Sequence, residues 1–172
     1  MYTLDKNMLP GAEQIDSLIL GIDHIAIAVT DLDEAIRWYS TAYGFTLTGR
    51  QATRGKRSGM LSAIMQAGAV TVVLLQGTEP ESQITRFLES SGPGVHHIAY
   101  AVADLEEAIR KVTEAGGVID TPVMADEGIR QAFLARDAVT GIRVELVERR
   151  GGSITEHNME QLFRSMEDTG LC

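Results

Sequence analysis

The chain has 172 residues, of which 44% are hydrophobic and 23% charged, and its formal net charge is −9. This composition is typical of one globular domain. It argues against nucleic acid or an anionic membrane as a partner, because both require clustered lysine and arginine. The single cysteine, Cys172, fits a reducing compartment. No apolar run approaches the length of a membrane span, and no secretory signal is recognisable, so we expect a cytoplasmic protein.

The first half of the chain predicts a β-α-β-β-β unit. Residues 22–29 are rich in Ile and Val and predict a buried strand. A helix should follow, because Asp31 and Glu34 have the spacing of a capping box and Gly44 is a typical stop residue. Three further strands are predicted over 45–50, 58–66 and 70–75. The basic residues Arg50, Arg54, Lys56 and Arg57 favour a solvated turn over a phosphate-binding loop.

The second half predicts the same unit after a linker helix at 79–92. A strand is expected over 95–102, and a helix begins after Asp104 and ends at the glycines 116–117. Strands are then predicted over 118–120, 129–135 and 143–148. The last predicted element is an amphipathic helix over 153–170, whose apolar stripe consists of Met159, Leu162, Phe163 and Met166.

A sequence repeat relates the two halves. Residues 24–37 read HIAIAVTDLDEAIR and residues 97–110 read HIAYAVADLEEAIR, at an offset of 97 − 24 = 73 residues. Because neither unit can bury its sheet alone, we predict an α+β fold in which paired β-α-β-β-β modules, 20–77 and 93–149, form one cupped mixed sheet. The whole chain, 1–172, is predicted to be one domain.

The repeat also indicates a metal site. Each copy begins with a histidine, and a pseudo-twofold axis would bring His24 and His97 together. Glu145 lies in the last predicted strand between two apolar residues, where a carboxylate is unusual without a partner. Two histidines and one carboxylate form the facial triad of non-haem Fe(II) oxygenases. Glu148 is the rival carboxylate, expected on the opposite face and solvated; His96 is expected to point away from His97.

These residues carry a family resemblance. The span 20–150 resembles the vicinal oxygen chelate superfamily of glyoxalases, dioxygenases and epimerases. The stretches SQITRFLESSGPGVHHIAYAV and ELVERRGGSITEHNMEQLFRSMED resemble, more specifically, the catalytic half of 4-hydroxyphenylpyruvate dioxygenase and hydroxymandelate synthase. That resemblance implies Fe(II) bound by the three predicted ligands, with a 2-oxo acid and O2 as substrates. The residues that it assigns to the substrate pocket and its lid helix are Ser58, Gln83, Gln131, Asn158 and Phe163.

Several residues depart from the dioxygenase pattern, and two alternatives stay open. Leu75 replaces a residue of that family near the substrate, His96 replaces one beside a metal ligand, and Ile154 replaces an aromatic residue of the lid. The family's non-catalytic N-terminal half has no counterpart in this sequence. The stretch GVHHIAYAV also resembles methylmalonyl-CoA epimerase, whose members would use Co(II), Mn(II) or Zn(II). In that resemblance a fourth ligand falls on Val73 and a catalytic glutamate on Ser62. The other alternative is a metal-free binding module, and a homodimer is left open.

Overall fold

The computed structural model describes residues 15–126, 128–151 and 164. After a short 3-10 turn at Ile15–Ser17, the elements in chain order are β1 (Ile19–Ala28), α1 (Leu32–Tyr43), β2 (Thr46–Arg54), β3 (Gly59–Ala67), β4 (Val70–Gly77), α2 (Gln83–Ser91), β5 (Gly94–Val102), α3 (Leu105–Glu114), β6 (Met124–Asp126), β7 (Ile129–Phe133) and β8 (Val144–Arg149). Among the described residues, no helix is both long enough and apolar enough to cross a membrane.

The strands form one mixed, curled sheet in the order β2-β3-β4-β1-β5-β8-β7-β6. In the first module β1 runs parallel to β4, and in the second β5 runs parallel to β8. The two modules join where β1 and β5 pair antiparallel at the centre of the sheet. The two halves of the strand order therefore mirror one another, which confirms the predicted α+β fold of paired β-α-β-β-β modules.

Both module helices begin as the sequence predicts. The Asp31 carboxylate accepts a hydrogen bond from the backbone N–H of Glu34 at 2.8 Å, and Asp104 accepts one from Glu107 at 3.0 Å. Each cap satisfies a backbone donor that the first helical turn leaves unpaired. Gly44, at φ 72°, ends α1 in the left-handed conformation.

The helices cover different faces of the sheet. We call the side of the sheet that carries His24, Ala26 and Ala28 the inner face. Helix α2 packs on the inner face through Ile84, which lies in a cluster with both alanines. Helices α1 and α3 pack on the outer face, where Leu32 and Leu105 are each almost completely buried. One end of the inner face is thus covered by α2.

The second module differs from its predicted strands in one place. Residues 118–120 form only an isolated bridge, between Ile119 and Leu134, and the edge strand is β6 instead. The hydroxyl of Thr121 accepts the hydrogen bond from the N–H of Phe133, and Pro122 has no N–H to continue a ladder. The linker helix is also shorter than its predicted range, 79–92.

Two predictions about organisation are not decided by the described residues. The helix predicted over 153–170 lies outside them, apart from Arg164. The assignment of 1–172 to one domain also stays a prediction, although one sheet spans both modules.

Candidate metal centre

The strand register brings the three predicted ligands together on the inner face. Ala99 of β5 pairs with His24 of β1 on one side and with Glu145 of β8 on the other. These three residues therefore form one row across the sheet, and His97 lies two positions from Ala99 on the same face. All of them are buried. The methyl group of Ala99 leaves room above the row, and the three larger side chains converge there.

The three ligand atoms form a nearly equilateral triangle. His24 Nε2 lies 3.3 Å from His97 Nε2, and each of these nitrogens lies 3.4 Å from Oε2 of Glu145. Ligand atoms about 2.1 Å from one ion would be separated by these distances at angles of about 105°. The donor set thus fits one face of the coordination sphere of a divalent ion and leaves the opposite face open.

A carboxylate orients His24. Asp23 accepts a hydrogen bond from Nδ1 of His24 at 2.8 Å, so the lone pair of Nε2 is directed toward the triangle. Arg149 in turn donates two hydrogen bonds to Asp23, at 2.5 and 2.8 Å. Burial alone would raise the pKa of Asp23, but the hydrogen bonds from Arg149 and His24 hold that pKa far below its usual range. Sequence reasoning missed this pair, although Asp23 directly precedes the predicted ligand.

The second histidine is supported differently, because β5 carries a bulge. Ala26 pairs with His97 and Ile27 pairs with Val95, so His96 is an extra residue in the strand. Its Nδ1 lies 2.8 Å from Nδ1 of His97. The expectation that the two side chains point in opposite directions is therefore wrong, because the bulge breaks the alternation on which it rested.

The electrostatics of the triangle favour a bound cation. Burial, followed by the nearby positive groups, lowers the pKa of His97 well below its usual value, so its imidazole is neutral, as a metal ligand requires. Burial raises the pKa of Glu145 to about 7. A divalent ion would offset the cost of burying this carboxylate beside two imidazoles.

Glu148 has a structural role and is not solvated. Its side chain is buried on the outer face, where Oε2 accepts a hydrogen bond from the backbone N–H of Leu105 at 3.3 Å. Arg150 and Arg130 also donate to it, at 2.5 and 3.3 Å. The sequence predicted its face correctly, but its exposure incorrectly, since the start of α3 covers it.

The predicted substrate residues are placed as follows. Gln131 of β7 pairs with Val147 and shares the inner face with the triangle; both polar atoms of its buried amide are without a hydrogen-bond partner among the described residues. Gln83 lies at the first turn of α2, and its buried Oε1 also has no hydrogen-bond partner among the described residues. Unpaired buried amides are expected where a ligand completes the hydrogen bonding. Ser58 is buried just before β3, and Asn158 and Phe163 lie outside the described residues.

The pseudosymmetry also shows where a fourth ligand would lie. The row His24–Ala99–Glu145 has a counterpart across the pseudo-twofold axis that relates the two modules. This counterpart is the row His97–Ala26–Val73, in which His97 and Val73 both pair with Ala26. Val73 therefore occupies the place in the first module that Glu145 occupies in the second. Ser62 is also buried and pairs with Leu75 on the inner face. Among the described His, Cys, Asp and Glu side chains, His24, His97 and Glu145 are the group that converges on one ion position.

A duplicated curled sheet with two histidines and a carboxylate on its inner face defines a class of metal-dependent folds. The chain belongs to the Glyoxalase/Bleomycin resistance protein/Dioxygenase superfamily, whose family model matches residues 23–136. This match confirms the superfamily assignment made from the sequence.

Known relatives include proteins of different chemistry. The uncharacterized protein YqjC of Bacillus subtilis is 30% identical over 79% of this chain and 97% of its own length. The crystal structure of methylmalonyl-CoA epimerase from Mycobacterium tuberculosis is 29% identical with a TM-score of 0.65, over 83% of this chain and 93% of that one. A variant of 4-hydroxymandelate synthase from Streptomyces coelicolor has a TM-score of 0.75 over 86% of this chain.

The likeness to the synthase is one of fold alone. Its sequence identity is 19%, and the match covers about half of that chain, 53%. In sequence identity and in the share of the relative that is matched, the chain is thus less similar to the synthase than to the epimerase, whose match extends over most of both chains.

Proposed function

We propose that this chain is a divalent-metal enzyme that transfers a proton at the carbon next to a metal-chelated carbonyl, as an epimerase does. The observation that carries the proposal is the triangle of His24, His97 and Glu145, whose edges of 3.3–3.4 Å fit one bound ion. Such an ion would polarise a carbonyl oxygen of the substrate and so acidify the neighbouring C–H bond. Similarity to an epimerase over most of both chains favours this reaction class.

The residues of the chain would have distinct tasks in this reaction. Asp23 and His96 would hold the two histidine rings with Nε2 facing the ion, since each contacts the opposite ring nitrogen. The buried amide of Gln131 would donate to, or accept from, an oxygen of the substrate. Ser62 occupies the position of a catalytic glutamate in the epimerase resemblance, and its hydroxyl is a weaker base than a carboxylate. We therefore expect slower proton transfer than in an enzyme with a carboxylate there.

A second candidate is an Fe(II)-dependent dioxygenase that uses a 2-oxo acid and O2. One observation favours it: Val73 replaces a fourth ligand, which leaves the two-histidine, one-carboxylate set typical of non-haem Fe(II) oxygenases. The metal thus differs between the two candidates, with Fe(II) for the dioxygenase and Co(II), Mn(II) or Zn(II) for the epimerase. In both, the substrate is a small molecule; the homodimer stays a prediction.

The experiment that separates the candidates uses protein stripped with a chelator and reloaded with each metal in turn. Proton transfer is followed by NMR, as exchange of the α-hydrogen of methylmalonyl-CoA in D2O. Dioxygenase activity is followed as oxygen uptake and CO2 release with a panel of aryl and alkyl 2-oxo acids. Exchange without oxygen uptake supports the first candidate, whereas coupled oxygen uptake and CO2 release without exchange would replace it with the second.

Two variants provide the controls. His97→Ala should abolish metal binding and either activity, because it removes one corner of the triangle. Glu148→Gln changes a buried carboxylate of the same strand that faces away from the site, and it should retain both. Failure of the wild-type protein to bind one ion per chain would contradict both candidates.

A further inference from the structure

The two histidines of the triangle are held by different kinds of neighbour. In the first module His24 hydrogen-bonds to a carboxylate, Asp23, which accepts two hydrogen bonds from Arg149. In the second module Nδ1 of His97 lies 2.8 Å from Nδ1 of another imidazole, that of His96. A hydrogen bond between two imidazoles lacks the charge of a carboxylate, so it is the weaker of the two bonds.

The ring of Phe133 makes a second contact with His97. The two ring centres are 5.0 Å apart and the rings are inclined at 86°, which is the edge-to-face geometry that aromatic pairs prefer. Phe133 also pairs across the strands with Glu145, so it lies beside two of the three ligand residues. In the first module Ile64 pairs with Val73 in the corresponding way, and isoleucine has no ring. The aromatic contact at this position is therefore specific to the second module.

Phe133 is itself fixed by its neighbours. Its side chain is almost completely buried, and its backbone N–H donates a hydrogen bond to Oγ1 of Thr121 at 3.0 Å. The guanidinium of Arg143 lies over the phenyl ring, 5.0 Å from its centre. Arg143 in turn donates to the carboxylate of Asp120 at 2.5 Å and to the carbonyl of Leu134 at 3.3 Å. A ring packed in this way has little freedom to move away from the imidazole that it contacts.

The other imidazole of the pair is supported in the same manner from α2. The ring centre of Phe87 lies 5.1 Å from that of His96, and the two rings are inclined at 81°. The guanidinium of Arg136 lies over the Phe87 ring, again 5.0 Å from its centre. Arg136 donates to the backbone carbonyls of Gly141 and His96, at 2.6 and 3.2 Å. Each imidazole of the pair therefore contacts a phenyl ring that carries an anchored arginine.

We propose that Phe133 and Phe87 are positioning residues, which hold the pair of His96 and His97 in the ligating geometry before an ion binds. Phe133 acts on His97 directly, and Phe87 acts through His96. If the His97 side chain sampled the three staggered χ1 wells equally, it would face the triangle about one third of the time. Loss of a supporting ring would then weaken the apparent metal affinity about threefold, and about tenfold where χ2 is released as well.

The first test uses the full chain after treatment with a chelator and needs no metal. NMR couplings in protein labelled with 15N and 13C report χ1 of His24 and of His97 separately. Both histidines of the wild type should have a single χ1 rotamer. Phe133→Leu and Phe87→Leu should average the couplings of His97 and leave those of His24 unchanged, with the larger effect for Phe133→Leu. Phe87→Tyr keeps the ring, and its hydroxyl can reach solvent because Phe87 is half-buried, so it should match the wild type.

Leu74→Val is the matched control. Leu74 is also completely buried, but it packs in the apolar cluster on the outer face of the first module. This variant should lower Tm and leave the couplings of both histidines unchanged, which separates a positioning role from a general loss of stability. A single His97 rotamer in both leucine variants, with circular dichroism spectra that show folded protein, would overturn the proposal. Equal averaging of His24 and His97 would also overturn it, because it would indicate general loosening.

The second test measures metal affinity by competition with a chromophoric chelator, and this arm alone rests on the proposed function. Phe133→Leu should weaken the affinity about three- to tenfold and Phe87→Leu about threefold, whereas Leu74→Val should not change it. If the wild type bound no ion, the proposed function would be wrong, and the His97 couplings of the metal-free protein would still decide whether the two rings position the histidine.

Discussion

Replacement of Asp23 by asparagine should weaken metal binding about 10- to 100-fold without unfolding the chain. The carboxylate accepts a 2.8 Å hydrogen bond from Nδ1 of His24, and an amide oxygen accepts the same bond without the charge. Loss of the charge assistance costs about 1.5 kcal/mol, close to a factor of ten. Arg149 donates two hydrogen bonds to Asp23, so loss of the Asp23 charge would leave the positive charge of Arg149 less well balanced near the divalent ion, and the added repulsion weakens metal binding further.

The assay is a competition titration of the metal against a chromophoric chelator, with stability measured by denaturant unfolding. Glu148→Gln is the matched control, because Glu148 is also a buried carboxylate that pairs with arginines, but on the face away from the triangle. Both variants should lower the free energy of unfolding of the metal-free protein by about 1–3 kcal/mol, and only Asp23→Asn should lower metal affinity. Equal metal affinity in the two variants would refute the role assigned to Asp23.

Three further predictions follow from other parts of the structure. Burial raises the pKa of Glu145 to about 7, so below that pH a metal ion must displace the proton of this carboxyl. The affinity for the metal should therefore fall about tenfold per pH unit below pH 6.5, and a metal affinity that is constant from pH 5 to 6.5 contradicts this. Gly77→Ala should cost about 1–3 kcal/mol in denaturant unfolding, because its Cβ would lie 2.2 Å from Oγ1 of Thr85, whereas Gly94→Ala has open space and should cost little. Gln131→Met should raise Tm but weaken substrate binding, since it removes two buried polar atoms that have no hydrogen-bond partner in the described part of the chain; unchanged substrate affinity argues against a substrate contact.

The repeat made the centre of the fold predictable. An offset of 73 residues between two nearly identical strand–helix segments implies two equivalent modules, and equivalent modules place His24 and His97 symmetrically about one axis. Glu145 could be predicted because a carboxylate between Val144 and Leu146 needs a partner. The same argument would make Glu148 a metal ligand, but Glu148 is buried because it binds the start of α3 and two arginines. Sequence alone could not separate the two, because the residues that cover Glu148 come from the start of α3.

Local irregularities could not be predicted in the same way. The bulge at His96 depends on how β5 pairs with β1, and strand pairing is a tertiary property. Alternation along an ideal strand therefore gave the wrong direction for the His96 side chain. The pair of Asp23 and Arg149 is separated by 126 residues, so no local pattern reveals it, whereas the helix caps at Asp31 and Asp104 depend on residues three positions away.

The two rows of the duplicated sheet explain why the centre is open on one side. In the second module the row through Ala99 ends in Glu145, and in the first module the row through Ala26 ends in Val73. Valine cannot ligate an ion, so the open coordination positions face the first module. There the inner face is largely apolar apart from Ser62, since Leu75 and Met60 are buried with Ala26 beneath α2. We therefore expect the chelating oxygens of the substrate to approach from the side of β4, with an apolar part of the substrate against Val73. A charged residue at position 73 would disfavour that approach, because it would be buried there without a partner.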